Sequence, residues 1–156
     1  MPSSNDIGVR GESIFATKIS KGFLLIPNFL GDKYKSVDYI INLNNTPKQK
    51  SFFFTSVKTT NKPKYTVRQK RLKISIPEKQ LKQLKRMKIP VYIVGIDENR
   101  EKAFIISVNG ISKNSISSIP TSFPLTHKRV ISLLWKEVKE FWDNSNFGSS
   151  FTSNFI

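Results

Sequence analysis

Three polar side chains, Asp38, Ser56 and Lys58, interrupt two segments that are otherwise rich in β-branched and aromatic residues. These segments, residues 37–43 and 52–58, flank a polar loop, and the pattern predicts two strands joined as a hairpin. Side chains two positions apart on a strand share a face, so Ser56 and Lys58 point the same way and Asp38 can lie across from them. A carboxylate, a short polar group and an ammonium group would then meet on one surface of an apolar sheet, which makes that surface a candidate active site.

A fourth candidate residue, Glu12, lies on the first predicted helix, residues 6–20. This helix is expected to end at Gly22, because glycine readily adopts the left-handed conformation of a helix cap. Glu12 falls on or beside the apolar stripe of the helix, where a buried carboxylate is costly unless a cation meets it. Two interpretations remain open: Glu12 pairs with a lysine at the flank of the helix, or it faces the surface that carries Asp38 and Lys58.

The other elements follow from apolar periodicity and turn residues. In chain order we predict a strand at 23–29, a polar loop or flap at 59–68, a short strand at 72–76 that could instead lead into the next helix, a helix from Pro77, strands at 91–96 and 103–108, a loop at 111–124 and a final helix capped by Thr126. This order predicts one α/β domain over residues 1–144, followed by a polar tail over residues 145–156.

Composition excludes several classes of site. The chain of 156 residues contains no cysteine and a single histidine, His127, which excludes disulfides, thiolate metal sites and any site that needs two imidazoles. There is no glycine-rich phosphate loop, and no organic cofactor is expected. No apolar stretch reaches the length of a membrane span, so we expect a soluble, cytoplasmic protein without a membrane partner.

Net charge is the strongest global signal in the sequence. Lysine and arginine total 26 against 11 acidic residues, which gives a net charge of +15. Such an excess repels itself unless a polyanion shares it, and nucleic acid is the polyanion that we favour. An anionic membrane surface and a merely solvated, lysine-rich surface are the alternatives. The expected DNA-binding residues lie in one basic stretch: Lys62, Lys64, Arg68, Lys70 and Arg71.

The order of three short motifs resembles a known family. Gly11-Glu12 on the first helix, Val37-Asp38 at a strand start and Ser56-Val57-Lys58 on the next strand resemble the PD-(D/E)xK nuclease superfamily. They look most like its branch of small restriction-like domains, whose third motif is often Gln-x-Lys. Some intron-encoded homing endonucleases also belong to this superfamily. The resemblance covers roughly residues 6–110 of this chain.

The resemblance implies a restriction-endonuclease-like fold, in which a mixed β-sheet is flanked by α-helices. Asp38 matches the metal-binding aspartate, Lys58 the lysine, and Glu12 the helix glutamate of the pattern. Ser56 stands where the pattern has Glu, Asp or Gln. By this resemblance Mg²⁺ would be held by Asp38, Glu12 and the backbone carbonyl of Val57, since Mg²⁺ needs only one or two carboxylates besides water and phosphate oxygens.

The function that the resemblance implies is metal-dependent hydrolysis of phosphodiester bonds in double-stranded DNA, by a homing or restriction-type endonuclease. Because Ser56 departs from the pattern, a degenerate module that only binds DNA is the alternative. Cutting both strands usually calls for two active sites, so a homo-oligomer is expected. It would form through the C-terminal helix or through the tail that carries Phe147, Phe151 and Phe155.

Overall fold

The computed structural model describes residues 1–31, 34–46, 51–144 and 152–156. Three helices lie within these ranges: α1 (Ser4–Ile19), α2 (Glu78–Lys85) and α3 (Lys128–Asp143). The strands are β1 (Leu25–Phe29), β2 (Tyr39–Leu43), β3 (Phe52–Thr60), β4 (Tyr65–Thr66), β5 (Arg71–Leu72), β6 (Val91–Asp97), β7 (Lys102–Ser107) and β8 (Ile119–Pro120). The predicted α/β class and the mixed sheet with helices are confirmed.

The main sheet has the strand order β1-β2-β3-β6-β7, and β4, β5 and β8 form a second, smaller sheet. Strands β1, β2 and β3 pair in antiparallel fashion, so the predicted hairpin of β2 and β3 is confirmed. Strand β6 runs parallel to β3, because the chain between them crosses over through the small sheet and α2. A parallel pair needs such a long crossover, whereas β6 and β7 form an antiparallel hairpin.

Local signals in the sequence form α1. Ser3 and Asp6 make a capping box: the Ser3 hydroxyl accepts from the Asp6 N–H at 3.2 Å, and the Asp6 carboxylate accepts from the Ser3 N–H at 2.9 Å. The helix ends at the C-cap Ser20, two residues before the predicted Gly22. Gly22 and Phe23 both have positive φ, so the chain turns there and β1 begins at Leu25 rather than at residue 23.

The sheet is buried on both faces by two separate apolar clusters. The first cluster lies between one face of the sheet and helices α1 and α3, and it includes Phe15, Phe53, Tyr92 and Leu134. The second cluster lies between the opposite face and α2 with the small sheet, and it includes Leu72, Leu81, Ile93 and Ile119. Adjacent residues of β6 alternate between the two clusters, as the two-residue period of a strand requires. The long apolar runs in the sequence are therefore strands covered on both sides.

The predicted loop at 59–68 contains the end of β3 and strand β4, and the N-cap of α3 is His127 rather than Thr126. Two further segments differ from their predicted structure. The predicted strand at 72–76 is reduced to β5, followed by an isolated bridge between Ile76 and Ile116. The predicted loop at 111–124 supplies that bridge and also β8, which pairs with β5. Both differences have the same cause, since strands of two residues are too short to produce a periodic pattern and form only because the two segments meet.

The described end of the tail packs on the chain's own core. Phe155 is fully buried and its carbonyl accepts from the Ser107 N–H at 2.7 Å. The buried Glu137 carboxylate accepts from the Ser153 hydroxyl at 2.6 Å and from the Asn154 N–H at 2.8 Å. These contacts attach residues 153–155 to α3 and β7 instead of leaving them for a neighbouring subunit. The other two phenylalanines of the tail, at positions 147 and 151, lie outside the described residues.

Candidate active site at the start of strand β2

Strand β3 is longer than β2, and this difference leaves a notch at one edge of β3. The last residue pair between β2 and β3 is Tyr39 with Thr55, whereas β3 continues to pair with β6 as far as Thr60 with Asp97. Within the described ranges no strand pairs with the β2-facing edge of residues 57–60. We call this edge, together with the side chains around it, the notch.

Asp38 closes one end of the notch with its side chain. Ser36 has a φ of 77°, which turns the chain just before β2, and the Asp38 N–H then donates to the Thr55 carbonyl at 2.9 Å. The Asp38 Oδ2 accepts from the Val57 N–H at 2.6 Å. The carboxylate thus takes the place of the strand carbonyl that would accept this bond if β2 continued.

The backbone carbonyl of Val57 faces the notch as well. Residues three positions before and after Val57 direct their backbone hydrogen bonds to the other edge of β3: the Phe54 N–H donates to the Pro90 carbonyl, and the Thr60 carbonyl accepts from the Glu98 N–H. In an extended strand the N–H and C=O of one residue point to the same side. Because the Val57 N–H meets Asp38, the Val57 carbonyl lies on the same side as the Asp38 carboxylate.

Lys58 and Asp38 interact electrostatically in this notch. Burial raises the pKa of the Asp38 carboxyl above its ordinary value, and the Val57 N–H bond and the Lys58 ammonium group offset only part of that rise. Lys58 is partly buried. The arrangement therefore holds a partly desolvated carboxylate close to a cation, a combination found at functional sites more often than on ordinary surfaces.

Glu12 approaches the same place from α1 through Tyr39. The Tyr39 hydroxyl donates to the Glu12 backbone carbonyl at 3.2 Å. Burial raises the pKa of Tyr39 to about 12, and the negative charges of Glu12 and Asp38 add to the rise. Glu12 and Asp38 thus both lie near Tyr39, whereas Lys58 shares the opposite face of β3 with Ser56 and interacts with Asp38 from there.

Tyr39 is a site residue that no motif in the sequence predicted. It follows Asp38 directly and shares a strand face with Ile41, which is buried against the cluster that contains Phe15 of α1. Strand alternation alone would have placed its side chain toward the helix that carries Glu12. An ordinary core aromatic gives the same pattern, however, and nothing in the sequence distinguishes the two.

Ser56 lies on the opposite face of β3, beneath α2. Its side chain is fully buried, and its Oγ accepts a hydrogen bond from Gln80 Nε2 at 3.2 Å. Strand alternation predicts that Ser56 and Lys58 share one face of the strand, but it gives no indication of Gln80. The only available signal was that Gln80 precedes Leu81, a buried residue of α2.

The predicted DNA-binding residues follow the notch directly in the chain. Four of them are exposed around the hairpin of β4 and β5: Lys62, Lys64, Arg68 and Lys70. Arg71 differs, since its Nε donates to the Ser118 hydroxyl at 2.9 Å and its NH2 donates to the Ser118 carbonyl at 2.8 Å. Arg71 therefore joins β5 to the segment that leads into β8, while the other four present their charges to the surroundings.

The donors at the notch are oxygen atoms of the kind that a hard cation prefers. They are the carboxylate of Asp38 and the carbonyl of Val57, and the Glu12 carboxylate lies close enough to act on the pKa of Tyr39. Mg²⁺ is commonly held by one or two carboxylates together with water and phosphate oxygens. No group of three or more His, Cys, Asp and Glu side chains with metal-ligand spacing occurs in the described ranges. The donor set fits Mg²⁺ chemically, with two carboxylates at most.

Comparisons with known proteins do not assign this chain to a family. No protein-family model, no curated protein and no solved structure matched the chain. The class that the structure itself defines is a mixed α/β domain with a five-stranded sheet. Among the described residues, no helix combines the length and the apolar character needed to cross a lipid bilayer.

Proposed function

We propose that the protein is a Mg²⁺-dependent endonuclease that hydrolyses phosphodiester bonds in double-stranded DNA on a restriction-endonuclease-like fold. The observation that carries this proposal is the partly desolvated Asp38 carboxylate at the notch, which binds the Val57 N–H and interacts with Lys58; Glu12 lies near it on the other side of Tyr39. Glu12 lies on α1, Asp38 directly before β2 and Lys58 on β3, and they are separated by up to 46 positions in the chain. The mixed sheet between helices supports the same resemblance.

Each residue at the notch has a distinct role in this proposal. Asp38, Glu12 and the Val57 carbonyl would hold Mg²⁺, which when bound activates water and neutralises charge on the phosphate. Lys58 stabilises the negative charge that develops on the phosphate oxygens and positions the attacking water. Burial raises the pKa of Tyr39 to about 12, so at neutral pH its hydroxyl is a hydrogen-bond donor that fixes α1, and with it Glu12, against β2.

The basic hairpin would bind the DNA backbone next to the notch. Lys62, Lys64, Arg68 and Lys70 are exposed there, and lysine and arginine contacts to phosphates supply affinity without sequence preference. Arg71 would contribute by holding the small sheet in place through Ser118. The cutting of both strands calls for two active sites, so we propose that the protein acts as a homo-oligomer.

Cleavage of mixed plasmid DNA at low salt, with and without Mg²⁺, tests this function. We expect Mg²⁺-dependent nicking or linearisation by the parent protein. Lys58→Ala should abolish cleavage, whereas duplex binding should remain close to that of the parent because Lys58 is one of 26 basic residues. Lys136→Ala is the matched control, since Lys136 is an exposed residue of α3 whose ion-pair partner, Glu140, lies on the same helix. Equal cleavage by Lys58→Ala and the parent would contradict the assigned site.

The second candidate function is a DNA-binding module of the same fold that has lost catalysis. It is favoured by Ser56, which is fully buried where the family pattern has an acid or an amide. Such a module would bind duplex DNA equally well with Mg²⁺ or EDTA and would leave the plasmid intact. The same assay therefore separates the two functions.

A further inference from the structure

Helix α2 contacts the segment before Asp38 and the strand that carries Lys58, through two glutamines that lie one turn apart. Gln80 Nε2 donates to the Ser56 hydroxyl at 3.2 Å, and Gln83 Oε1 accepts from the Ser36 hydroxyl at 2.5 Å. Residues three apart share a helix face, so both amides point from α2 toward the sheet. Each serine lies two residues before a candidate reactive side chain: Ser36 before Asp38, and Ser56 before Lys58.

The Ser36 contact acts on a backbone conformation that needs support. Ser36 has a φ of 77°, in the left-handed region that non-glycine residues adopt only at a cost. This conformation aims the chain so that Val37 is buried in the α2 cluster while Asp38 turns toward Val57. The hydrogen bond to Gln83 holds the segment at the residue where the turn is made.

The Ser56 contact acts on the strand that carries Lys58. The Ser56 hydroxyl is fully buried, and a buried hydroxyl without a partner is costly. Gln80 supplies that partner from α2 and so ties β3 to the helix two residues before Lys58. In this way the two amides of α2 fix β3 and the segment before β2 from the face opposite Glu12 and Tyr39.

We propose that Gln80 and Gln83 are positioning residues, which act through Ser56 and Ser36 to hold Lys58 and Asp38 at their working separation. The catalytic part of this inference rests on the nuclease function proposed above, whereas its structural part does not. No step of the reaction passes through either glutamine. Their loss should therefore misplace the reactive groups without removing any of them.

Amide hydrogen exchange at Val57 tests the structural part without any assay of activity. The Val57 N–H is protected by Asp38, so Asp38→Ala gives the exchange rate of the unprotected amide. We expect Gln83→Leu and Gln80→Leu to raise exchange at Val57 at least tenfold toward that limit. Gln83→Glu retains an acceptor for Ser36 and should stay near the parent. Amides of β6, such as that of Val94, serve as internal references for global stability.

A matched control uses the same substitution away from α2. Gln69 is exposed on the hairpin of β4 and β5, and Gln69→Leu should leave exchange at Val57 at the rate of the parent. If both Gln80→Leu and Gln83→Leu also exchange at the rate of the parent, the proposal is overturned, whether or not the protein cuts DNA. A parent that binds DNA without cutting overturns the nuclease function, while the exchange rates still decide the role of the glutamines.

Single-turnover cleavage at saturating DNA tests the catalytic part. A displacement of about 1 Å in an active site lowers the rate by roughly a hundredfold. We expect Gln80→Leu and Gln83→Leu to cut roughly ten to a hundred times more slowly with unchanged affinity for DNA, and Gln83→Glu to restore most of the rate. A loss of affinity without a loss of saturated rate would contradict a positioning role.

Discussion

Asp38 has a structural and a proposed chemical role in the same carboxylate. Its Oδ2 accepts the Val57 N–H that β2 leaves without a strand partner, and its charge lies beside Lys58 in a partly desolvated notch. The hydrogen bond raises the free energy of unfolding, whereas burial of the ionised carboxylate lowers it.

The raised pKa of Asp38 predicts how its substitution depends on pH. A carboxyl whose pKa is higher in the folded than in the unfolded state binds its proton more tightly when folded, so its ionisation costs stability as pH rises. An asparagine at this position would keep an acceptor for the Val57 N–H without the charge. We therefore expect Asp38→Asn to abolish cleavage yet to be more stable than the parent at about pH 7. This advantage should fade as pH falls through the range in which Asp38 takes up its proton.

Urea unfolding of both proteins at about pH 3 and about pH 7 measures the effect. An Asp38→Asn variant whose relative stability falls, rather than rises, between the lower and the higher pH would show that the Asp38 charge is favourable in the fold. Its partners Val57 and Lys58 would then outweigh burial, contrary to the direction of the pKa shift.

Substitution of Ser56 tests how closely its face of β3 approaches the metal. The Ser56 side chain is fully buried against Gln80, so we expect Ser56→Glu to lower the free energy of unfolding by about 3 kcal/mol or more without metal. Because residue 56 shares a strand face with Lys58, Mg²⁺ should restore part of that loss. Thermal denaturation with and without Mg²⁺ measures both.

Ser56→Ala is the control for this experiment. It removes only the hydrogen bond with Gln80, and we expect a loss of about 1 kcal/mol that Mg²⁺ does not change. If the larger loss in Ser56→Glu is equally insensitive to Mg²⁺, residue 56 does not face a metal site, and the family pattern does not apply at this position.

At the scale of elements, the approach of α1 to β3 places Glu12. A Cβ atom at Gly11 would lie 1.7 Å from the Thr59 Oγ1, whereas one at Gly8 would have nothing within 4 Å. The helix backbone therefore passes directly over Thr59 only because residue 11 has no side chain. The next residue, Glu12, reaches Tyr39 as a result of this close contact.

Two alanine substitutions on α1 test that contact. We expect Gly11→Ala to destabilise the protein by about 1–3 kcal/mol through overpacking and to slow cleavage, because the helix must move away from Tyr39. Gly8→Ala should stabilise by about 0.5–1 kcal/mol, since alanine is the better helix former and the site is open. Chemical denaturation of the two variants compares them directly, and equal effects would show that α1 does not pack tightly on Thr59.

At the scale of the whole molecule, the net charge of +15 predicts strongly salt-dependent binding to duplex DNA. We expect a log–log slope of affinity against salt with a magnitude of order 5 or more, because each neutralised phosphate contributes about 0.9. Titrations between low and moderate salt measure the slope. A flat titration would remove the nucleic-acid proposal, and binding to anionic liposomes tests the membrane alternative.

A fourfold alanine variant assigns part of that slope to the hairpin. The residues to replace are Lys62, Lys64, Arg68 and Lys70, all of which are exposed. If each contacts one phosphate, the magnitude of the slope should fall by roughly 3 to 4. Arg71 is left in place because its guanidinium binds Ser118, and its loss would disturb the small sheet as well as the charge.

Much of the fold was predictable because it depends on short-range patterns. The two-residue alternation and the apolar runs located β2, β3, β6 and β7, and the caps and helical stripes located all three helices within a few residues. Strand alternation also placed Ser56 and Lys58 on one face. These features follow from interactions between residues near in sequence, which the sequence by itself determines.

The tertiary structure alone decided how the elements meet. The register of Tyr39 with Thr55 places the Asp38 carboxylate against the Val57 N–H, and no local pattern states how far β2 extends along β3. In the same way, Gln80 reaches Ser56 across 24 residues, and Glu137 binds the end of the tail across 16. Each contact exists because packing of the apolar clusters holds distant segments at hydrogen-bonding distance, and that packing is a property of the whole chain rather than of any window within it.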